Sequence, residues 1–290
     1  MAFLISHSND ILRNLAIEEY LLRRKDIQED ILFLWYGSKA FVYGRNQNPF
    51  IEIHPDYILD DSIIKVRRIS GGGTIYQDQG TLNFSIITND FKNKINNYEY
   101  FLESIKNILK SQGLNVHFKP KSHLFVDDYK ISGNAQAFIN NKLLHHGTIL
   151  YDTDLDIIQK ALIHFQANAQ GHQVLSNKQA VINLKDMIGL SKEELMNQIS
   201  YQMIHDYHIN ESEIEIEEEK IQEIIKNKYQ TWEWNYGKTP TFTIKETIDD
   251  SVCDITIEKG YIVKISPLVD DRLLNTKYFN QYYIKHIKRT

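Results

Sequence analysis

The stretch RRISGGGTIYQDQGTLNFS, Arg67 to Ser85, decides how the rest of the chain is read. Two arginines, a serine and three consecutive glycines lead into two β-like segments. Glycine loses more conformational freedom on folding than any other residue, so ordering three in a row needs a reason. Backbone N–H groups without side chains can wrap an anion closely. Arginine adds a planar donor fork suited to phosphate. The local chemistry is therefore that of a phosphate or acyl-phosphate site. No GxxxxGK pattern closes the loop, so it is not a Walker loop. The glycines are contiguous and a strand follows them, which excludes a dinucleotide fingerprint. A plain turn would explain a bare Gly-Gly-Gly, but it explains the RRxS ahead of it less well.

Outward from this loop the pattern mixes strands and helices. SNDILRNLAIEEYLLRR reads as a helix capped by Ser8 or Asn9, with Ile11, Leu12, Leu15, Ala16 and Leu22 at helical spacing. ILFLWY, AFVYG, IIKVRR, GTIYQ and LNFSIIT read as short strands. Asn97 to Gln112 reads as a helix closed by Gly113. LNVHFKP, HLFVDD, YKISGNAQAFI and KLLHHGTILYD form a meander with turns at Asp127-Asp128 and Asn140-Asn141. Asp152 or Thr153 caps a further helix, and Ser191 with Glu194 makes a capping box ahead of another, to about His208. ESEIEIEEEKIQEIIKNKYQ reads as a helix with a solvated acidic face. Alternation returns from Phe242, predicting a small terminal β unit and a final helix, with a hinge at Tyr236, Gly237 and Pro240. The expected fold class is α+β: a mixed sheet backed by helices, with a small C-terminal accessory unit. The division expected is 1–240 and 241–290.

Composition narrows the function. The 290 residues carry a net charge of −5, so no basic field invites nucleic acid. No apolar stretch is long enough to cross a bilayer, and the N-terminus has no signal-peptide pattern. Cys253 is the only cysteine, which excludes an intrachain disulfide and predicts a cytoplasmic location.

Two later clusters add chemistry. In DYKISGNAQAF, Lys130 and Ser132 share a strand face, and a lysine on an inner face can hold a developing negative charge. An exposed strand lysine is the plainer alternative. In LLHHGTILYD, His146 can line a pocket or serve the core. The histidines show no metal-ligand spacing.

Taken together and in order, RRISGGGTIYQDQGTLNFS, KISGNAQ and HHGTIL resemble the signature of the lipoate–protein ligase A family, within the biotin/lipoate ligase superfamily. NLAIEE, YGRNQNPF, SNKQAVINL and WEWNYGKTP extend the similarity over most of the first 240 residues. The resemblance implies an enzyme that uses MgATP to turn lipoate into lipoyl-AMP. It then transfers the acyl group to a lysine of an apo-lipoyl domain, from a 2-oxoacid dehydrogenase or a glycine-cleavage H protein. It implies the catalytic role for Lys130, touching both carboxylate and α-phosphate. ATP contacts fall on Arg68, Gly73, Thr74, Ile75, Tyr76 and Asn83. The lipoyl pocket, with octanoate as the alternative acid, falls on Leu15, Ser70, Gly72, Ala135 and His146. GHQVLSNKQAVINL corresponds to a loop that closes over the adenylate.

The chain departs from the family where Lys121-Ser122-His123 stands for an Arg-Asn-Asp triplet, and where Gln77 to Thr81 alters HDxGN. Histidine is a poor ligand for hard Mg²⁺, so metal handling is in question. The competing functions are a lipoyl or octanoyl amidotransferase, which needs a thiol near the lysine, and a non-catalytic paralogue that binds lipoyl domains. A biotin ligase is disfavoured because its GRGRxxRxW-like loop is missing.

Overall fold

A computed structural model describes the chain except for residues 1, 120–121, 163–168, 172–173, 208–213, 249, 280–286 and 289–290. Its centre is a seven-stranded sheet in the order β1 (Ala2–Ser6), β2 (Ile31–Tyr36), β6 (Thr81–Thr88), β10 (Lys142–Leu150), β9 (Tyr129–Ile139), β8 (His123–Val126), β7 (Val116–Lys119). Only β1 and β2 run parallel; the other pairs are antiparallel. The expected meander is β7 to β10. Its turns use left-handed Asp127, Asn140 and Asn141, residues that tolerate positive φ.

Alternation gives each sheet face its own layer. Leu32, Leu34, Leu82, Phe84 and Ile86 pack with Phe101, Ile105 and Leu109 of α5 (Tyr98–Ser111) and Leu195, Ile199 and Met203 of α7 (Lys192–Asp206). Ile31, Phe33, Trp35 and Ile87 face the other way, against α1 (Ile11–Arg23), α8 (Glu218–Ile224) and the π-helical turn Ile225–Tyr229. This second face carries the site. Its register places Trp35, Asn83, Thr148, Gly133 and His123 in one cross-strand row, with Phe33, Ser85, His146 and Ala135 in the next. Four strand spacings of about 4.8 Å make the longer row roughly 19 Å.

A three-stranded sheet, β4 (Ile64–Arg67), β3 (Ala40–Tyr43), β5 (Ile75–Gln77), holds the glycine loop. β3 is parallel to β4 and antiparallel to β5, so residues 68–74 cross over the end of β3. Gly44 sits beneath that crossing. The third sheet contains β11 (Gln170–Gly171), β12 (Phe242–Ile248), β13 (Ser251–Glu258), β14 (Tyr261–Ser266) and β15 (Ile287–Lys288), which pairs with β12. Its inner residues, Phe242, Ile244, Ile255 and Ile257, share one apolar cluster with Phe41, Tyr43, Phe50 and Tyr76. Short helices α2 (Pro49–Glu52), α3 (Pro55–Ile58), α4 (Phe91–Lys94), α6 (Leu155–Ala161) and α9 (Trp232–Asn235) complete the described elements.

Several local expectations need correction. Asp10 caps α1, accepting from the Leu12 and Arg13 amides, and Ser8 holds the Asp10 amide instead. Asp154 caps α6, because Thr153 is bound to Thr81 and Asp152 to Lys185. The acidic run enters its helix only at Glu218, and Glu217 and Glu218 reach back to Tyr20 and Arg13 of α1. The residues read as a hinge are packed: Tyr236 stacks on Phe50, and the Gly237 amide bonds the Trp232 carbonyl. The expected final helix falls mostly outside the described residues. The capping box at Ser191 and Glu194 is formed.

A Cβ at Gly44 would overlap the carbonyl oxygen of Gly72. Gly44→Ala should therefore lower stability by about 1–3 kcal/mol, the cost of overpacking a filled site. Urea unfolding against wild type checks this.

Candidate active site

The adjacent arginines of the glycine motif divide their work. Arg67 is fully buried and faces away from the cavity. It donates to the carbonyls of Gly44, Arg45, Gln47 and Asn235 and to Thr239 Oγ1, and stacks on Tyr43. It ties the loop sheet to the chain leading into the third sheet, and is no phosphate ligand. Arg68 turns the other way and lines the cavity. Its guanidinium holds Ser70 Oγ at 2.9 Å, the Val42 carbonyl at 2.9 Å, and the Gly71 and Gly73 carbonyls at 2.6 and 2.8 Å. Burial pulls its pKa down to about 10, against the attraction of Glu18. Arg68 thus shapes the loop from inside. Gly72, at φ +89°, takes the left-handed conformation that glycine permits without strain.

The loop and the sheet face enclose a cavity of about 220 Å³. At its deep end, Leu15 and Glu18 descend from α1 onto Trp35 of β2. Gly72, Gly73, Thr74 and Ile75 form one wall, while Asn83, Ala135 and His146 belong to the sheet floor. The far end holds His123, Gly133 and Lys130. A neighbouring cavity of about 400 Å³ shares Thr74, Ile75, Gly133 and Lys130 and adds Tyr76 and Ser132. Lys130 and Ser132 both line this second cavity, but the alternation expected to put them on one face is interrupted, since one step on β8, Leu124 to Phe125, spans the two from Ser132 to Lys130 on β9. Ser70 lies beside the first one, bonded to His146 Nε2 at 2.6 Å. The residues singled out in the sequence therefore gather around two joined cavities, with Lys130 in the wall of both.

The Lys130 ammonium has no carboxylate and no hydrogen-bond partner among the described residues. Its Nζ would lie 3.1 Å from a Cβ at position 133, so glycine there makes its room. Burial, and then the positive charge of Arg68, bring its pKa down to about 8. The Lys130 amide bonds the Ala180 carbonyl, and its own carbonyl accepts from Ile182, fixing the backbone. His123, the residue standing in the altered triplet, is held neutral: burial and then Lys130 push its pKa down to about 4. Its buried Nδ1 has no partner among the described residues.

Side chains that the sequence did not reveal as functional complete the site. Glu18 accepts from Ser85 Oγ at 2.5 Å and bonds His146 Nδ1 at 2.9 Å. It was detectable as a charge among Ile11, Leu15 and Leu22 on the apolar side of α1. Ser176 takes the Thr74 amide at 2.9 Å and donates to Glu52. Gln47 bonds both Ser176 Oγ and Thr74 Oγ1. One N–H of the glycine cradle is therefore occupied by the 174–177 segment. No local pattern announces that pairing.

The residues do not fit a protein-held Mg²⁺. The carboxylates lining the two cavities are Glu18, committed to His146 and Ser85, and Glu52, committed to Ser176. No cluster of three His, Cys, Asp or Glu side chains suited to a metal occurs among the described residues. His123 is a nitrogen donor that a hard cation does not favour.

Residues 10–204 match the model of the lipoyl protein ligase A/B catalytic domain. The chain is 32% identical to lipoate–protein ligase 1 of Staphylococcus aureus, covering 96% of this chain and 84% of that one. It is 33% identical to a human mitochondrial lipoyl amidotransferase, over 82% and 66%. Among solved structures, a bipartite lipoate protein ligase of Thermoplasma acidophilum, studied with its E2 lipoyl domain, superposes with a TM-score of 0.68. The identity is 26%, over 81% of this chain and 95% of that one. A lipoate-protein ligase A bound with ATP gives 0.67, at 26% identity over 81% and 97%.

A buried cation without a counter-charge weakens the fold. Between the ordinary lysine pKa of 10.5 and the folded value of about 8, the unfolded chain binds a proton that the folded chain does not. Stability from this group is therefore lost as pH falls through that window, and the full penalty stands at neutral pH. Lys130→Met should raise the melting temperature at pH 7, and the gain should shrink above pH 8. Thermal melts across pH check the sign.

Proposed function

Because the chain belongs to the lipoyl protein ligase A/B catalytic-domain family, we infer that it is a lipoate–protein ligase that makes lipoyl-AMP and passes the lipoyl group to a lipoyl domain. In the first step a lipoate carboxylate oxygen attacks the α-phosphorus of ATP. The bond to the bridging oxygen breaks and pyrophosphate leaves. In the second, the ε-amine of the acceptor lysine attacks the acyl carbonyl, an amide forms and AMP departs. The binding of ATP by a ligase relative supports the nucleotide, and the archaeal ligase with its lipoyl domain supports the acceptor class.

The observation that carries the assignment of roles is the placement of Lys130, unpaired among the described residues and at the junction of two cavities. Two anions must approach there, and their repulsion is the main obstacle to reaction. An ammonium held in the wall of both cavities acts on both at once. We assign lipoate to the first cavity, with its carboxylate at Lys130 and its tail running past Ala135 and His146 to Leu15, over Ser70 and Gly72. We assign the nucleotide to the wall made by Gly73, Thr74, Ile75 and Tyr76, with Asn83 and Arg68 behind it. A phosphate oxygen that takes the Thr74 N–H displaces Ser176. That exchange gives the 174–177 segment a reason to move as nucleotide enters. Mg²⁺ enters as the nucleotide's own counter-ion. The unit from about 241 to 290 serves as an accessory unit behind the loop sheet, and we place the enzyme in the cytoplasm. The acceptor can be a dehydrogenase lipoyl domain or an H-type protein.

The human relative favours a second reading, transfer from one protein to another without ATP. Cys253 supplies no nucleophile for it, being buried within β13 and bonded to the Ser251 carbonyl.

Purified protein should show lipoate-dependent ATP–pyrophosphate exchange, and intact mass should show a lipoyl adduct on an apo-lipoyl domain. Lys130→Ala should lower exchange by about 10²–10³-fold, the scale of losing one preorganised charge stabiliser, with the fold intact by circular dichroism. Unchanged exchange in that variant would refute the role. Transfer from a lipoylated donor without ATP would establish the second reading.

A further inference from the structure

The deep end of the first cavity contains a group that the chemistry above does not use. Glu18 is 1% exposed and lines the cavity one turn from Leu15. The direction of its hydrogen bonds can be followed from Arg68. The Arg68 Nε–H can only donate, and it donates to Ser70 Oγ at 2.9 Å. The Ser70 hydroxyl has two acceptors in reach, His146 Nε2 at 2.6 Å and the Gly71 carbonyl at 3.4 Å, and the shorter contact takes its proton. With Nε2 accepting, the ring proton sits on Nδ1 and is given to Glu18 Oε1 at 2.9 Å. The Ser85 hydroxyl donates to the same oxygen. Glu18 is therefore the acceptor end of a directed relay, and its Oε1 is fully supplied. Its Oε2 is buried with no partner among the described residues, and so is the indole Nε1 of Trp35, which lines the same cavity. Gln77 and Asn83, which line the same cavity with Leu15 and Val42, also carry buried polar atoms without a partner among the described residues, and Glu18 Oε2 is the one carboxylate oxygen in that set.

We propose that Glu18 is a specificity-determining residue that reads the sulfur end of the acyl substrate. It favours the reduced dithiol over the cyclic disulfide, and both over an unsubstituted fatty acid. The inference rests on the lipoate-ligase reading, with the carboxylate at Lys130 and the tail at Leu15. A thiol S–H donates, weakly, to a carboxylate oxygen. A disulfide sulfur has no proton to give, but it accepts weakly from the Trp35 N–H. An alkyl terminus does neither. Closing the cavity over Oε2 without a donor costs that oxygen its solvation. A site that pairs a polar group rejects analogues lacking it far better than a purely apolar site rejects a change of size.

The test is the KM for the acid in ATP–pyrophosphate exchange, measured without oxygen. The probes are octanoate, lipoate, and dihydrolipoate kept reduced by a phosphine. The wild type should rank dihydrolipoate lowest and octanoate highest, with at least about a tenfold span, the lower end of such polar discrimination. In Glu18→Gln the amide oxygen stays on His146, and the amide NH₂ takes the place of Oε2. An acceptor becomes a donor, and thiol and disulfide sulfurs both accept weakly, so the dithiol should lose its advantage over the disulfide while octanoate stays last. Three wild-type KM values within twofold would overturn the proposal without any variant. So would an unchanged dithiol-to-disulfide ratio in Glu18→Gln. Exchange with no acid at all would overturn the ligase reading, and this inference with it; exchange without tail discrimination would overturn this inference alone.

Discussion

A lysine ammonium set in the wall of two cavities, with no carboxylate to answer it among the described residues, is the constraint around which this structure is arranged. Lys130 is fixed by the 180–182 segment, given space by Gly133, and kept apart from acidic groups. The two carboxylates lining the cavities are engaged elsewhere, Glu18 through Oε1 to His146 and Glu52 to Ser176. The arrangement is costly to the fold and useful to the reaction. A counter-ion within the protein would stabilise the lysine, and would also occupy the charge that two substrate anions need.

The same economy of charge explains why two adjacent arginines face opposite ways. β4 alternates, so Arg67 and Arg68 leave the strand on opposite sides. Arg67 donates to six polar acceptors, the Trp234 carbonyl among them, and fixes the loop sheet to the segment entering the terminal sheet. Arg68 gathers the Gly71 and Gly73 carbonyls, while the Thr74 N–H goes to Ser176. A glycine loop without such a brace would be entropically expensive to order. Here the expense is met by a buried guanidinium, so the cradle exists before any ligand arrives.

Much of this was legible in the sequence, for physical reasons. The meander was readable because alternation and Asn or Asp turns are local signals, and the capping box because its two partners lie three residues apart. The motif residues gather at the site because one face of a sheet collects every second residue from neighbouring strands. What escaped was long-range. Nothing near Ser176 in the chain shows that it will sit on the Thr74 amide, 102 residues away. RRxS suggested two phosphate ligands because a sequence gives no side to which a strand residue points. Glu18 left a trace, a charge on an apolar helical stripe, but such a residue is as often a solvated exception as a buried acceptor.

The terminal sheet belongs to this reasoning as well. Its inner residues close one core with Phe41, Tyr43 and Phe50, which lie on β3 and just beyond it. β3 is the strand that the glycine loop crosses, and Tyr43 is also the ring on which Arg67 stacks. Packed interiors transmit displacement because they contain little free volume. A shift of the terminal sheet therefore presses on β3, and β3 supports the loop through Gly44 and through the Val42 carbonyl held by Arg68. A loop of three glycines has almost no side chains with which to hold itself in place. Its shape is set by what lies beneath it, and part of that footing comes from the far end of the chain.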